Sequence, residues 1–278
     1  VVIFSPHPDD DVISMGGILN KLHQNGNAVI VAYQTSGNIA VFDHEVRRYL
    51  DLMRRAEAAF HLNDTRLSSL IEKMEAFLDR KEPAQMDSPE VQEMKRVIRE
   101  AEAVSGIETF GMKRGQARFL NLPFYQTGKV RKDPIGPKDF VAFLLATGKA
   151  HIDRALEHVG VDLEIGGLGA HQFEEIACAD LVFAAGDLSD PHGTHRMCLQ
   201  AIHEALAQYS GPTPQVWYYR GAWQEWSIAE ADILVPLSRE ELRRKIQAIF
   251  KHQSQKDSAP FPGLDDREFW QRVEARNT

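Results

Sequence analysis

Short runs of apolar residues, each broken by a polar turn and followed by apolar positions three and four apart, recur along this chain. Val1-Val2-Ile3-Phe4 is the first such run, and Pro6 and Pro8 end it. From Val12 to Asn25 the apolar residues Ile13, Ile18, Leu19 and Leu22 keep a helical spacing that closes at Asn25-Gly26-Asn27. Ala28 to Tyr33 is continuous and β-branched, as suits a strand covered on both faces by helices. The spacing then predicts helices over Asp43–Leu62, Leu67–Arg80 and Ser88–Ser105, the last opened by a Ser cap, a proline and an early acid. Further strands are predicted over Ala117–Leu122, Leu181–Ala185, Gln215–Arg220 and Ile233–Pro236, and further helices over Pro137–Val159, Thr194–Gln208 and Glu240–His252. The tail from Lys256 carries Phe269-Trp270 as an exposed pair, open to packing on the domain or on a neighbour. Strands alternating with helices predict one large α/β domain with a mostly parallel sheet.

Two turns in this pattern carry chemistry. Between the first strand and the first helix lie His7, Asp9, Asp10 and Asp11, and after the run Leu181–Ala185 comes Asp187-Leu188-Ser189-Asp190-Pro191-His192-Gly193-Thr194-His195. Acids ahead of a helix commonly serve only its exposed N–H groups and its dipole. Two histidines three residues apart in a second turn change that balance. In a parallel sheet both turns fall at the C-terminal edge of the strands, where ligands bind. One Asp and two His drawn from two turns make a sensible donor set for a three-ligand Zn²⁺ site with an open position.

Composition narrows the function classes. With 43% hydrophobic and 26% charged residues the chain has a globular balance, and no uninterrupted apolar run is long enough to span a membrane. A net charge of −8 opposes non-specific attraction to nucleic acid or to an anionic membrane surface. Cys178 and Cys198 form neither a CxxC pair nor a disulfide framework, so a reducing cytoplasm is expected, with a bridge between them left open. The chain starts inside a strand signal without Met, which suggests a domain cut from a longer polypeptide or a mature chain without its leader. Gly167 and Gly169 give half of a dinucleotide fingerprint, but Gln172 stands where the third glycine belongs, so the stretch reads as a loop.

The two turns together resemble the PIG-L/LmbE family of zinc-dependent N-acetylglucosaminyl deacetylases. His7-Pro8-Asp9-Asp10 matches the family's His-Pro-Asp-Asp-Glu motif with Asp11 in place of the usual Glu, and His192-Gly193-Thr194-His195 matches its His-x-x-His. Weaker similarity runs through Thr35-Ser36-Gly37, Arg99 to Gly111, Phe119 to Pro123 and His252 to Gln255. The resemblance implies a Rossmann-like, LmbE-like sheet with helices on both faces, and one domain over 1–278 with a helical insertion at about 40–95. It implies one Zn²⁺ per chain, or Fe²⁺, held by His7, Asp10 and His195. Asp9 is the implied general base, and His192 the implied oxyanion partner. Asp190 or Asp187 would orient His192, because Thr194 stands where relatives place Asp or Asn. Arg99 either points toward substrate or pairs with Glu102 one turn away. Phe124-Tyr125 replace an acid that relatives use to hold the sugar, and Lys129, Arg131 and Lys132 form a local positive patch. The expected substrate is a small amino-sugar molecule or conjugate, not nucleic acid or a membrane. The expected context is a homo-oligomer fused to a glucosamine-6-phosphate deaminase-like domain. A catalytically silent sugar-binding or regulatory domain is the second class, less consistent with a complete set of ligands and base.

Overall fold

The structure, a computed structural model, describes residues 1–62, 64–122, 179–186, 188, 193–208, 212–222, 225–255 and 267–277. Its elements in chain order are β1 (Val2–Ser5), α1 (Asp10–Gln24), β2 (Ile30–Tyr33), a 3-10 turn (Asn38–Ala40), α2 (Asp43–Ala59), α3 (Thr65–Arg80) and α4 (Pro89–Glu108). After a second 3-10 turn (Arg114–Gln116) come β3 (Ala117–Phe119), β4 (Leu181–Ala185), α5 (Thr194–Gln208), β5 (Gln215–Tyr219), α6 (Arg239–Ile249) and α7 (Phe269–Asn277). All neighbouring strands pair in parallel, in the order β3-β2-β1-β4-β5.

Side-chain alternation along these strands builds two cores. Ile3, Val31, Tyr33, Phe183 and Ala185 point to one face, where α1, α4, α6 and α7 cover them with Ile13, Leu19, Ile107, Ile249 and Val273. Val2, Phe4, Ala32, Val182 and Ala184 point to the other face, against Ile202 and Ala205 of α5. β1 is buried on both sides, which explains its unbroken apolar run. Between β2 and β3 the helices α2, α3 and α4 close a third cluster of their own, around Val46, Leu50, Ile71, Met74, Leu78 and Ile98. Asp64 caps α3, Ser88 caps α4, and Ser238 with Glu241 forms a capping box on α6, each an arrangement worth about 1 kcal/mol.

One expectation needs correction. Ile233–Pro236 is not a strand but an exposed connector: Ile233 and Leu234 lie in solvent, and the segment leads to Leu237 and the Ser238 cap of α6. An isolated apolar run becomes a strand only where a neighbouring strand completes its hydrogen bonds. Leu237 instead fills the space over Gly17, where a Cβ would lie 2.5 Å from its Cδ2. Of the two packings open to the tail the first is found, since Phe269 and Val273 of α7 are buried in the main core and α7 packs against α6. Polar residues around an aromatic pair hid a one-sided helix. The expected helix over Pro137–Val159 and the Gly167/Gly169 loop lie outside the described residues.

The path of the chain fixes where a ligand site can form. From β1 it runs through β2 toward β3, and from β4 through α5 to β5 on the opposite side. The C-terminal ends of β1 and β4 therefore flank the switch point of the sheet, the usual crevice of such folds.

Candidate metal centre

Pro6 and Pro8 stop β1 at Ser5, and the chain turns tightly there, with the Asp9 amide donating to the His7 carbonyl at 2.8 Å. That turn returns Asp10 toward His7. The Asp10 Oδ2 atom accepts from the His7 backbone N–H at 2.9 Å and lies 3.0 Å from His7 Nδ1. From the other side of the switch point, the first turn of α5 delivers His195, whose Nε2 lies 3.2 Å from Asp10 Oδ2 and 3.3 Å from His7 Nδ1. His195 and Asp10 are fully buried and His7 is partly accessible. Burial pushes the Asp10 carboxyl up, but the charge and hydrogen bonds of His195 and His7 outweigh it and hold Asp10 below the usual carboxylate range.

This triangle fits one metal ion. Ligand atoms held tetrahedrally at roughly 2.0–2.1 Å from an ion lie about 3.3–3.4 Å apart, close to the separations found here. The donor set of two imidazoles and one carboxylate suits zinc or a similar first-row ion.

Asp9 and Asp11 do other things, and neither is the helix cap that their position suggests. Asp9 stands at the N-cap of α1 without a side-chain cap bond, and its Oδ2 lies 3.2 Å from Arg99 Nη2. Asp11 points into the core, where Tyr33 donates its hydroxyl at 2.9 Å and the Ser5 hydroxyl binds both its carboxylate and its amide. Burial, reinforced by the charges of Asp9 and Asp10 against the Tyr33 hydrogen bond, raises the Asp11 carboxyl to about 7. The Ser5 and Tyr33 anchors carry no motif of their own. Their only signal is a polar group at the end of each of two adjacent strands.

Arg99, fully buried on α4, reaches Asp9 beneath the turn after β2. Gly37 makes this possible: its φ is +60°, and a Cβ there would lie 3.1 Å from Pro8 Cδ and 3.2 Å from Arg99 Nε. The alternative pairing of Arg99 with Glu102 is not the one formed. Glu102 accepts from the Ser254 amide and hydroxyl, both at 2.7 Å. Arg99 Nε and Nη1 have no hydrogen-bond partner among the described residues.

His192, Asp187, Asp190, Phe124, Tyr125, Lys129, Arg131, Lys132 and Cys178 lie outside the described residues. Among the described ones, the structure brings together His7, Asp9, Asp10, Arg99 and His195. A groove of about 920 Å³ runs elsewhere, past Tyr49, Ala101, Glu102, Phe250 and Gln253, and none of the three candidate ligands lines it. Donor chemistry, not groove size, locates the site.

Residues 2–206 match the family model described as PIG-L, GlcNAc-PI de-N-acetylase. The chain belongs to the PIG-L family. A glucosamine-6-phosphate deaminase-like protein of Bacteroides thetaiotaomicron is 42% identical to it over 286 residues, covering 100% of this chain and 39% of that protein. The chain thus spans about two fifths of the curated relative it matches. The fold of N,N'-diacetylchitobiose deacetylase from Pyrococcus horikoshii superposes with a TM-score of 0.51 at 18% identity, over 99% of this chain and 74% of that one. A conserved protein of Thermus thermophilus aligns with a TM-score of 0.48 at 16% identity, over 99% and 83% of the two chains. This PIG-L chain therefore shares the α/β fold of the archaeal deacetylase, with the His-Asp-His cluster at the switch point of its sheet.

Proposed function

We propose that this chain is a zinc-dependent amide hydrolase that removes acetyl from an N-acetylglucosamine-containing small molecule or conjugate. The observation that carries this reading is the triangle of His7 Nδ1, Asp10 Oδ2 and His195 Nε2 with a second carboxylate, Asp9, beside it. Membership of a family described as a de-N-acetylase supports the reaction class.

His7, Asp10 and His195 would hold the ion, which supplies Lewis-acid polarisation of the amide carbonyl and of water, the help that a resonance-stabilised amide needs. Asp10 supplies the anionic donor of the set, which offsets part of the charge of the ion. Asp9 takes the proton from the attacking water and returns it to the leaving amine. Arg99 holds the Asp9 carboxylate in place through Oδ2, and its buried Nε and Nη1 groups, without a partner among the described residues, would have to be uncovered to reach a substrate oxygen. His192, as imidazolium, is the proposed partner of the tetrahedral oxyanion. We place all these functions in one LmbE-like domain spanning 1–278.

The name of the Bacteroides relative supports an amino-sugar phosphate as substrate, with an aminohydrolase domain in the same polypeptide acting on the freed amine. The reading is tested by loading purified protein with Zn²⁺ and measuring amine release from N-acetylglucosamine and its 6-phosphate. Turnover of either, abolished by chelator and restored by metal, is the expected result. Absence of amine release from a panel of N-acetylated amino sugars by metal-loaded protein would refute it.

A further inference from the structure

Arg99 sits between two carboxylates and binds only one. Glu102 follows it by three residues on α4, the spacing at which oppositely charged helix neighbours pair readily. Both side chains are buried, Arg99 at 1% and Glu102 at 4% exposure, where attraction is strong and screening weak. Yet the guanidinium goes to Asp9, which lies 90 positions away in the sequence. The difference lies in Glu102, whose carboxylate is held from the far side: Oε1 accepts from the Ser254 amide and Oε2 from the Ser254 hydroxyl.

We propose that Ser254 is a positioning residue for the Asp9–Arg99 pair, because its two hydrogen bonds hold the Glu102 carboxylate in an orientation that does not compete for Arg99. The proposal rests on the hydrolase reading for its catalytic consequence, and on the side-chain geometry alone for the pairing.

Ser254 is well placed to exert this control. The segment His252–Gln255 follows α6 directly and is folded on itself, with the Gln255 amide donating to the His252 carbonyl at 2.9 Å. His252 packs over Gly106, one turn beyond Glu102 on α4, where a Cβ would lie 2.9 Å from its Nε2. Burial keeps the His252 ring neutral, so it acts there through shape. Gln255 donates to the Ala40 carbonyl at 2.7 Å, at the end of the loop that begins with Gly37 over Arg99. The segment thus fastens α4 to the loop after β2, and Ser254 is held at Glu102 by contacts on both sides. Burial raises the Glu102 carboxyl above its ordinary value, with Arg99 and the Ser254 hydrogen bonds opposing that push. Removing the hydroxyl releases the Glu102 carboxylate from that orientation, and Arg99 is the nearest charge-bearing group on its own helix face.

The test compares four proteins: wild type, Ser254→Ala, Ser254→Thr and Ser254→Ala/Glu102→Gln. Each is followed by crystal structure, metal content and amine-release kinetics. In Ser254→Ala, Arg99 should turn from Asp9 to Glu102 and kcat should fall roughly tenfold or more, a part of what a general base contributes, with KM changing less. Metal content should stay at the wild-type level. Ser254→Thr keeps the hydroxyl and should keep Arg99 on Asp9. The double variant should return Arg99 to Asp9 and recover kcat, because an amide at position 102 cannot compete as a charge; a purely structural defect would not be repaired by a second substitution. Arg99 remaining on Asp9 in Ser254→Ala, or failure of the double variant to recover both geometry and rate, would overturn the proposal. If wild-type protein releases no amine, the hydrolase reading fails, while the crystal structures still decide whether Ser254 controls the pairing.

Discussion

Two clusters of opposite charge lie on α4 and its neighbours, and they are built differently. Between α2, α3 and α4, Lys81 and Lys95 each bridge Asp43 and Asp87, so that each of the four carboxylate oxygens meets an ammonium at 2.6–2.7 Å. This ring ties the start of α2 to the α3–α4 connection and leaves no carboxylate oxygen for a ligand. At the switch point the arrangement is open. Asp10 Oδ2 has two imidazole nitrogens at 3.0 and 3.2 Å around it, and Arg99 spends one N–H group on Asp9 while two others have no partner among the described residues. Each cluster contains a buried cation, Lys95 in one and Arg99 in the other, so a buried charge alone does not mark a functional site. What separates them is completeness: a structural cluster closes on itself, whereas a reactive one keeps positions for a ligand at the cost of crowded or orphaned polar groups.

Breaking the open cluster should have the largest effect. His195→Ala is expected to lose metal, seen by elemental analysis, and to reduce amine release to background, whereas His192→Ala should keep its metal. Asp9→Asn preserves shape but cannot accept a proton. It should retain metal and fold while kcat drops on the order of 10² to 10⁴. Near-normal kcat in Asp9→Asn would make Asp9 a structural partner of Arg99 and erase the distinction drawn above.

The closed cluster should respond in stability, not in rate. Asp87→Ala leaves Lys81 and the buried Lys95 sharing Asp43 alone, and denaturant unfolding should show a loss of about 1–3 kcal/mol. Its kcat/KM should match wild type. A rate loss with unchanged metal would show that the ring also sets the position of Arg99 through α4.

The smallest effect is one of pH. Burial raises the Asp43 carboxyl, but its hydrogen bonds and charge pairing with Lys81 and Lys95 outweigh this and lower its folded pKa below the unfolded one. The stabilisation is therefore present above about pH 4 and fades as pH falls through the lower folded value. The stability gap between wild type and Asp43→Asn should narrow as pH drops below about 4. A gap that stays constant between pH 6 and pH 3 would mean that the ring gains nothing from its charges.

Legibility followed the range of the interactions. The strand at Val2–Ser5, the turn at Pro6–Asp9 and the helix Thr194–Gln208 were readable because each is specified within a few neighbouring residues. Ile233–Pro236 misled for the same reason: its local composition favours a strand, but no neighbour completes it. The packing of Phe269 was left open between the domain and a neighbour because the face that buries it belongs to other elements.

The sequence by itself determined the strand–turn–helix units, the α/β class and the presence of His7, Asp9, Asp10 and His195 at turns of like chemistry, since periodicity and turn residues act along one element at a time. The tertiary structure decided which of those groups meet. His7 and His195 are 188 residues apart and come together because β1 pairs with β4. Arg99 binds Asp9 and not Glu102, Tyr33 anchors Asp11, and Ser254 occupies Glu102, each through side chains from elements distant in the chain. Such choices turn on differences of an ångström between packed elements, and in a buried, weakly screened environment those differences decide which charge is paired and which is left to react.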